Sequence, residues 1–240
     1  MSDRDNIYFF DKVKNISFSF NEEVTKVFSD MINRSVPGYI SSLNLIKQYG
    51  RKYHQTDTYI YDLGCSLGSV TASLLPLVKD RNKIIGVDNS VSMINSCKKN
   101  FSSNIKNGEV EFHHQDVRDL KMKKSSFIVV NYLMQFLKIP ERDDLLRNIY
   151  NILVENGVCI LSEKIHFSSS LRTNLIKDIH HSFKLQNGYT ALEIARKRDA
   201  LEGVLVTETE EEHIMRLIDV GFKVTKIMSN LNFITLLCKK

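Results

Sequence analysis

The segment Asp62-Leu-Gly-Cys-Ser-Leu-Gly68 has the residue types of a backbone turn made to touch a ligand. It follows an apolar run over 58–63 and precedes a helical pattern, so the chain must reverse within a few residues. Gly64 and Gly68 allow this, because a residue without Cβ reaches positive φ and lets a ligand approach the backbone at little cost. The spacing is Gly-x-x-x-Gly, whereas dinucleotide enzymes carry Gly-x-Gly-x-x-Gly. The expectation therefore moves from a nicotinamide cofactor toward S-adenosylmethionine, with Gly64, Cys65 and Ser66 against its amino-acid part. A plain strand-to-helix turn would use the same glycines, so the turn alone does not decide.

Polar residues at matching places in the pattern strengthen that reading. Asp88 closes the next apolar run, 24 positions after Gly64; in dinucleotide folds an acidic residue about 20 positions beyond the glycines takes the ribose hydroxyls. Its other possible role is to cap the following helix, which Asn89 or Ser90 could do instead. Asp88, with Asn89 beside it, is therefore assigned to the ribose. Asp116 and Val117 follow the third apolar run, where this fold uses a carboxylate and a backbone amide to hold the adenine amino group and ring nitrogen. Asn131 ends the fourth run and is expected to face the sulfonium. Groups at the carboxyl ends of successive parallel strands converge on the crevice where open α/β sheets bind ligands.

These positions need a scaffold of alternating strands and helices. The runs 58–63, 83–87, 109–113, 126–130 and 158–162 read as strands. Helices are expected from the glycine turn to about Lys79, and over 89–101 with Val91, Ile94, Cys97 and Phe101 on one inward face. Another is expected over 142–155 with Leu145, Leu146, Ile149 and Leu153 inward and Gly157 ending it. Beyond Ser162 come a polar helical stretch over 167–202, a helix over 210–220, and strands over 222–227 and 232–238 that read as a hairpin. Residues 1–50 form a helical cap with Tyr39, Leu43, Ile46 and Tyr49 at helical spacing, and 165–205 form a helical insertion. The expected fold is α/β, one Rossmann-like domain over 1–240 of the class I methyltransferase kind, with a mostly parallel seven-stranded sheet and a C-terminal antiparallel hairpin.

The composition is that of an ordinary globular chain, 240 residues with 42% hydrophobic and 25% charged, enough for one domain with a sizeable core. Lys and Arg number 33 against 28 Asp and Glu, and the resulting +5 is spread along the chain. That balance suits small anionic ligands and equally suits a solvated surface. Cys65, Cys97, Cys159 and Cys238 lie far apart with no Cys-x-x-Cys, which argues against zinc and against a disulfide framework; no metal is expected. The acidic start and the lack of an apolar run of ~18 residues argue against a signal peptide and a membrane span, which leaves the cytoplasm as the expected location. His180-His181 lack a third ligand and read as a surface or satisfied pair. The fourth-strand segment Asn131-Tyr-Leu-Met-Gln135 lacks the Asn/Asp-Pro-Pro-Tyr pattern of enzymes that methylate amino groups of bases.

Longer motifs are more specific. Arg34-Ser-Val-Pro-Gly-Tyr39, Tyr61-Asp-Leu-Gly-Cys-Ser-Leu-Gly68, Ile85-Gly-Val-Asp-Asn-Ser90, Gln135-Phe-Leu137, Leu161-Ser-Glu-Lys164, Asn187-Gly-Tyr189 and Lys197-Arg198 occur in order over nearly the whole chain. In these the sequence resembles the carboxy-S-adenosyl-L-methionine synthase family. The resemblance implies an enzyme that converts S-adenosylmethionine and prephenate to carboxy-S-adenosylmethionine and phenylpyruvate, by way of a sulfonium ylide that captures carbon dioxide from prephenate. It implies a product that supplies the carboxymethyl group of 5-oxyacetyl uridine at the tRNA wobble position, tRNA itself being met only by a downstream carboxymethyltransferase. It also implies a homodimer in which Arg198 reaches from the neighbouring subunit to grip the new carboxylate, and a cofactor contact from Tyr39.

Arg34, Lys184 and Arg196 are further candidates for holding a dianionic substrate, with ordinary salt bridges as their alternative. The chain departs from the family pattern over 10–18 and in the final hairpin, where Lys226-Ile-Met-Ser-Asn-Leu-Asn-Phe233 replaces an aromatic-rich run. Two other readings stay open: a small-molecule methyltransferase and a non-catalytic S-adenosylmethionine-binding protein. The second would carry one basic face with interleaved aromatics, which is not found here.

Overall fold

The structure, a computed structural model, describes residues 3–9, 18–78 and 82–240. The five apolar runs become the parallel strands β1 (Tyr59–Leu63), β2 (Lys83–Asp88), β3 (Val110–His114), β4 (Ser125–Asn131) and β5 (Leu153–Lys164). β1 pairs with β2 and β4, β2 with β3, and β4 with β5, all in parallel. The residues of β1, β2 and β4 are buried almost throughout, as strands covered by helices on both faces must be. β6 (Lys223–Asn230) and β7 (Phe233–Lys239) form the expected hairpin, and β7 lies antiparallel beside β5. Among the described residues these strands make one sheet in the order β3-β2-β1-β4-β5-β7-β6, the class I methyltransferase arrangement. The order reverses between β1 and β4, which opens a crevice at the carboxyl ends of the parallel strands.

The helices α1 (Glu22–Ser35) and α2 (Tyr39–Tyr53) precede the sheet, and α3 (Ser69–Leu74), α4 (Val91–Asn100), α5 (Ser102–Lys106) and α6 (Ile139–Ile152) connect its strands. Between β5 and α9 (Glu210–Val220) come α7 (Ser170–Gln186) and α8 (Ala191–Leu201). Local chemistry sets their ends. Thr190 with Glu193, and Thr209 with Glu212, form reciprocal capping boxes at the starts of α8 and α9. Gly221, at φ 115°, closes α9 and turns the chain into β6.

Three sequence expectations are corrected. α3 ends at Leu74 rather than near Lys79, because Pro76 has no N–H to continue the ladder and the chain tightens into a 3₁₀ turn over Leu75–Leu77. Lys79 itself lies outside the described residues, as do 10–17 of the divergent opening. α6 begins at Ile139, where Pro140 suits the first turn and Glu141 accepts the Lys138 N–H at 3.1 Å. It stops at Ile152, so Gly157 does not end it. β5 starts at once, and its register against β4 jumps from Ser125↔Leu153 to Phe127↔Val158, with Asn156 at φ 60° in the resulting bulge. A Cβ at Gly157 would lie 2.9 Å from the Val154 carbonyl, so the glycine lets the bulge close. Finally, Val91 is 56% exposed, because Ser90 caps α4 and leaves the first residue in solvent; Met93 joins Ile94 and Cys97 inside.

A buried polar network ties α6 to α9. Arg142 is fully buried, and its guanidinium donates to the Leu137 carbonyl at 3.1 and 3.0 Å, to the Val206 carbonyl at 2.7 Å, and to Glu208. Arg216 donates to both Glu208 oxygens at 2.7 and 2.6 Å and pairs with Asp143 at 2.5 Å. Against the desolvation of burial, these donors hold the Glu208 carboxyl below the usual carboxylate range. Removing Arg142 would strand two carbonyls and weaken the compensation of Glu208. Arg142→Leu is expected to cost about 3 kcal/mol, read as a lowered urea midpoint at unchanged slope; a midpoint equal to that of the wild type would contradict this role.

Candidate active site

Beyond Leu63 the chain takes three left-handed residues in five: Gly64 at φ 73°, Ser66 at φ 46° and Gly68 at φ 78°. A Cβ at Gly68 would meet the Phe101 ring at 2.7 Å, so glycine serves both the turn and the packing of α4 against it. The turn is fastened to the end of β2. The N–H groups of Gly64 and Cys65 donate to the Val87 carbonyl at 2.8 and 3.0 Å. The N–H groups of Ser66 and Ser90 each donate to one oxygen of Asp88, both at 2.9 Å. Burial raises the Asp88 carboxyl, and these two donors counter it. Behind the turn, burial pushes Asp62 up to about 6 although Thr71 donates to it from N and Oγ1 at 3.0 and 2.7 Å.

The turn forms one side of a cavity of about 1060 Å³ at the carboxyl ends of the strands, and all ten positions assigned from sequence contribute to its lining. Asn89 and Val117 lie beside Asp88 and Asp116 on that wall. Asp116 is already forked by Arg118, whose Nε and Nη2 donate to its oxygens at 2.8 and 2.7 Å. Arg118 thereby holds the Asp116 carboxyl below its ordinary range. A ligand amino group at Asp116 must share the carboxylate with that guanidinium.

Three amide oxygens on the lining, Asn131 Oδ1, Gln135 Oε1 and Asn232 Oδ1, are buried without a partner among the described residues. Buried acceptors are normally satisfied, so unpartnered ones facing a cavity fit a donor-bearing, cationic ligand such as the ammonium and sulfonium end of S-adenosylmethionine. Tyr39 is buried at the start of α2, its ring 6.4 Å from that of Tyr132, with Ser69 in reach of its hydroxyl. Burial raises its phenol. The neighbouring 3₁₀ turn over Met134–Phe136 is held by Glu163, which accepts the Met134 and Gln135 N–H groups at 2.8 and 3.1 Å. Burial pushes Glu163 up to about 8. Sequence reading did not single out Glu163, although it sits in the Leu161-Ser-Glu-Lys164 motif.

The cationic candidates separate. Arg34 is engaged in structure: it donates to the Asn187 carbonyl at 2.7 Å and to Asp30 at 2.9 Å and stacks 3.8 Å from the Tyr189 ring centroid, while its Nη2 is buried without a hydrogen-bond partner among the described residues. Arg196 donates to the Tyr8 and Phe9 carbonyls at 3.0 and 3.1 Å. Both bind the N-terminal segment to α7 and α8, and neither lines the cavity. Lys184 does line it, together with Lys164 and Lys197, which sequence reading passed over even though both stand in quoted motifs. Arg198 lies in the last turn of α8 at the rim, 76% exposed and paired with Asp199 at 3.0 and 2.9 Å. His180 is buried and donates from Nε2 to the Ser35 carbonyl at 2.8 Å. Burial drives its imidazole down to about 3, so it is a neutral, satisfied histidine. Among the described residues no group of three or more His, Cys, Asp or Glu is arranged to hold a metal, and no helix is long and apolar enough to cross a membrane.

A family model for a methyltransferase domain matches residues 60–157, which span β1 to the first part of β5. Among solved structures, a putative S-adenosyl-L-methionine-dependent methyltransferase from Methanococcus maripaludis superposes with a TM-score of 0.61 at 16% identity, covering 95% of this chain and 96% of that one. An O-methyltransferase family protein from Burkholderia thailandensis gives 0.64 at 13% identity, covering 93% and 64%. At these identities the likeness speaks for the fold alone. Sequence relatives are much nearer. The carboxy-S-adenosyl-L-methionine synthase of Shewanella sediminis is 46% identical over 212 residues, 88% of this chain and 87% of that protein. The synthase of Hahella chejuensis is 42% identical over 229 residues, 92% of each chain. With the glycine turn, the carboxylates beyond it and the cation-lined cavity in the same chain, these relatives show that the protein belongs to the carboxy-S-adenosyl-L-methionine synthase family, transferases built on the methyltransferase fold.

Proposed function

We propose that the protein makes carboxy-S-adenosylmethionine from S-adenosylmethionine and prephenate, releasing phenylpyruvate. The observation that carries this reading is a cavity that joins amide oxygens without a partner among the described residues, fit for a sulfonium ligand, to Lys164 and Lys184, which have no carboxylate partner among those residues and are fit for carboxylates. Transfer of a methyl group to a neutral acceptor would need the first, and a cation only for the cofactor's own carboxylate. In this reading the turn backbone at Gly64, Cys65 and Ser66 holds the methionine part, Asp88 with Asn89 takes the ribose, and Asp116 with the Val117 amide takes the adenine. Asn131 sits at the sulfonium and Tyr39 covers it, and Arg198 reaches from the neighbouring subunit to grip the new carboxylate.

The chemistry balances without a further reagent. Aromatisation of the prephenate ring expels its ring carboxylate as carbon dioxide and its ring hydroxyl, and the hydroxyl leaves with one sulfonium methyl proton as water. The carbanion so formed attacks carbon dioxide and closes the new carbon–carbon bond. The chain's part is to hold both substrates and keep bulk water from the ylide, through the apolar wall of Tyr39, Tyr132 and Phe233 and the fixed dipoles around them.

The exposure of Arg198 accords with a homodimer in which it serves the neighbouring site. An exposed apolar stripe on α7, Leu171, Leu175 and Ile179 at helical spacing, offers a surface for that contact. The product would serve a downstream carboxymethyltransferase acting on the tRNA wobble uridine, and the protein itself would work in the cytoplasm without touching tRNA.

Incubation with S-adenosylmethionine is expected to yield the carboxylated cofactor and phenylpyruvate only when prephenate is added, followed by mass spectrometry. Release of S-adenosylhomocysteine in place of both would overturn the reading. Arg198→Ala is expected to weaken binding of carboxy-S-adenosylmethionine about 100-fold, roughly the loss of one bidentate charge-assisted contact. The same variant should keep near-normal affinity for S-adenosylmethionine in calorimetry; equal loss of both ligands would remove Arg198 from its role.

A further inference from the structure

Lys164 closes β5, Lys184 lies near the end of α7, and Lys197 lies on α8; all three line the same cavity. They come from positions up to 33 residues apart, and only the fold brings them together. Among the described residues no carboxylate lies within ion-pairing distance of Lys164 or Lys184. Lys197 is 12% exposed and partly satisfied, donating to Ser35 Oγ at 3.1 Å with Asp5 at 3.6 Å. His180, neutral and turned to the Ser35 carbonyl, brings no negative charge, and Arg198 beyond it is itself a cation.

Desolvated like charges held near one another are costly unless something anionic completes them. The cost is visible in the titration of the lysines: burial first, then Lys164, Lys197 and Arg198, push Lys184 down to about 7. Burial also lowers Lys164, with Lys177 adding to it. A fold that keeps three lysines on one cavity with a single carboxylate, Asp5, within ion-pairing distance of them among the described residues holds them for a ligand.

We infer that Lys164, Lys184 and Lys197 form the receptor for the two carboxylates of the second substrate, apart from the glycine turn that serves the cofactor and from Arg198 at the rim. This rests on the synthase reading for the substrate's name, while the ligand class, a small dicarboxylate with an apolar ring, follows from the cations and the adjoining aromatic wall of Tyr39, Tyr132 and Phe233. The alternative anion, the cofactor's own methionine carboxylate, would make the same lysines matter for S-adenosylmethionine instead.

The test is calorimetry of prephenate binding to protein saturated with S-adenosylhomocysteine, alongside S-adenosylmethionine binding to the protein alone. Lys184→Met is expected to weaken prephenate about tenfold, and Lys164→Met with Lys184→Met together about 100-fold or more, as charge-assisted contacts are lost. Lys184→Arg should recover most of the affinity, and S-adenosylmethionine should bind every variant within about twofold of the wild type. Methionine keeps the aliphatic stem, and thermal melting checks that each variant folds; Lys184→Gln serves if Lys184→Met does not. Unchanged prephenate affinity in the double variant, or an equal loss of S-adenosylmethionine, overturns the receptor. If the wild type binds prephenate through these lysines but forms no carboxylated cofactor, the synthase reading fails and the receptor stands.

Discussion

One buried carboxylate, that of Asp88, joins the two turns on which the cofactor site depends. One of its oxygens takes the Ser66 N–H from the β1–α3 turn and the other takes the Ser90 N–H at the start of α4. Without it, two backbone donors at the floor of the cavity would lose their partner, and the left-handed Ser66 would keep only the contact of its carbonyl with the Cys97 thiol at 3.1 Å. The glycines permit the turn; the carboxylate selects its shape. Because Asp88 also lines the cavity, the group that fixes the backbone is the group offered to a ligand, so site geometry and loop geometry cannot vary separately.

Around that fixed floor the cavity divides by charge. Amide oxygens near β4 and β7 without a partner among the described residues ask for a cation, and half-buried lysines on β5, α7 and α8 ask for an anion. A sulfonium ligand and a dicarboxylate placed side by side answer both demands, and each lowers the cost of the other. The Arg142–Glu208–Arg216 network holds the segment that leads from the helical insertion back to α9, so the insertion is anchored at its end by buried, paired charge. Of the insertion's lysines on the cavity, Lys197 has Asp5 at 3.6 Å, while Lys184 has no carboxylate within ion-pairing distance among the described residues.

Much of the scaffold was legible in the sequence, because parallel strands covered on both faces leave continuous apolar runs and a glycine turn has few alternatives. Gly64 to Ser66, Asp88, Asn89, Asp116, Val117 and Asn131 reach the cavity lining for the same reason, as each lies at the end of one of those runs, whereas Tyr39 and Arg198 are assigned from the family resemblance. The errors lie where a local rule had a rival. Pro76 stops α3 early, and Gly157, whose place in the sequence fits a helix stop, serves a strand bulge. The cations were the least legible feature. Arg34 and Lys184 look alike in a string of letters, yet one is spent on Asp30, Asn187 and Tyr189 and the other faces the cavity. Lys197 meets Asp5, almost the whole length of the chain away, and no spacing rule reaches that far. The fork of Arg118 on Asp116 shows the reverse case: two residues in sequence proximity, whose side-chain pairing decides how free the carboxylate is.

The central claim is that this cavity is shaped for an adenosyl sulfonium bearing an added carboxylate. Its most direct test is to denature protein freshly purified from cells and weigh the small molecules it releases. The account predicts an adenosyl sulfonium heavier than S-adenosylmethionine by one carboxyl group. Finding S-adenosylhomocysteine as the sole adenosyl ligand, with the carboxylated form failing to displace it when added in excess, would contradict the account.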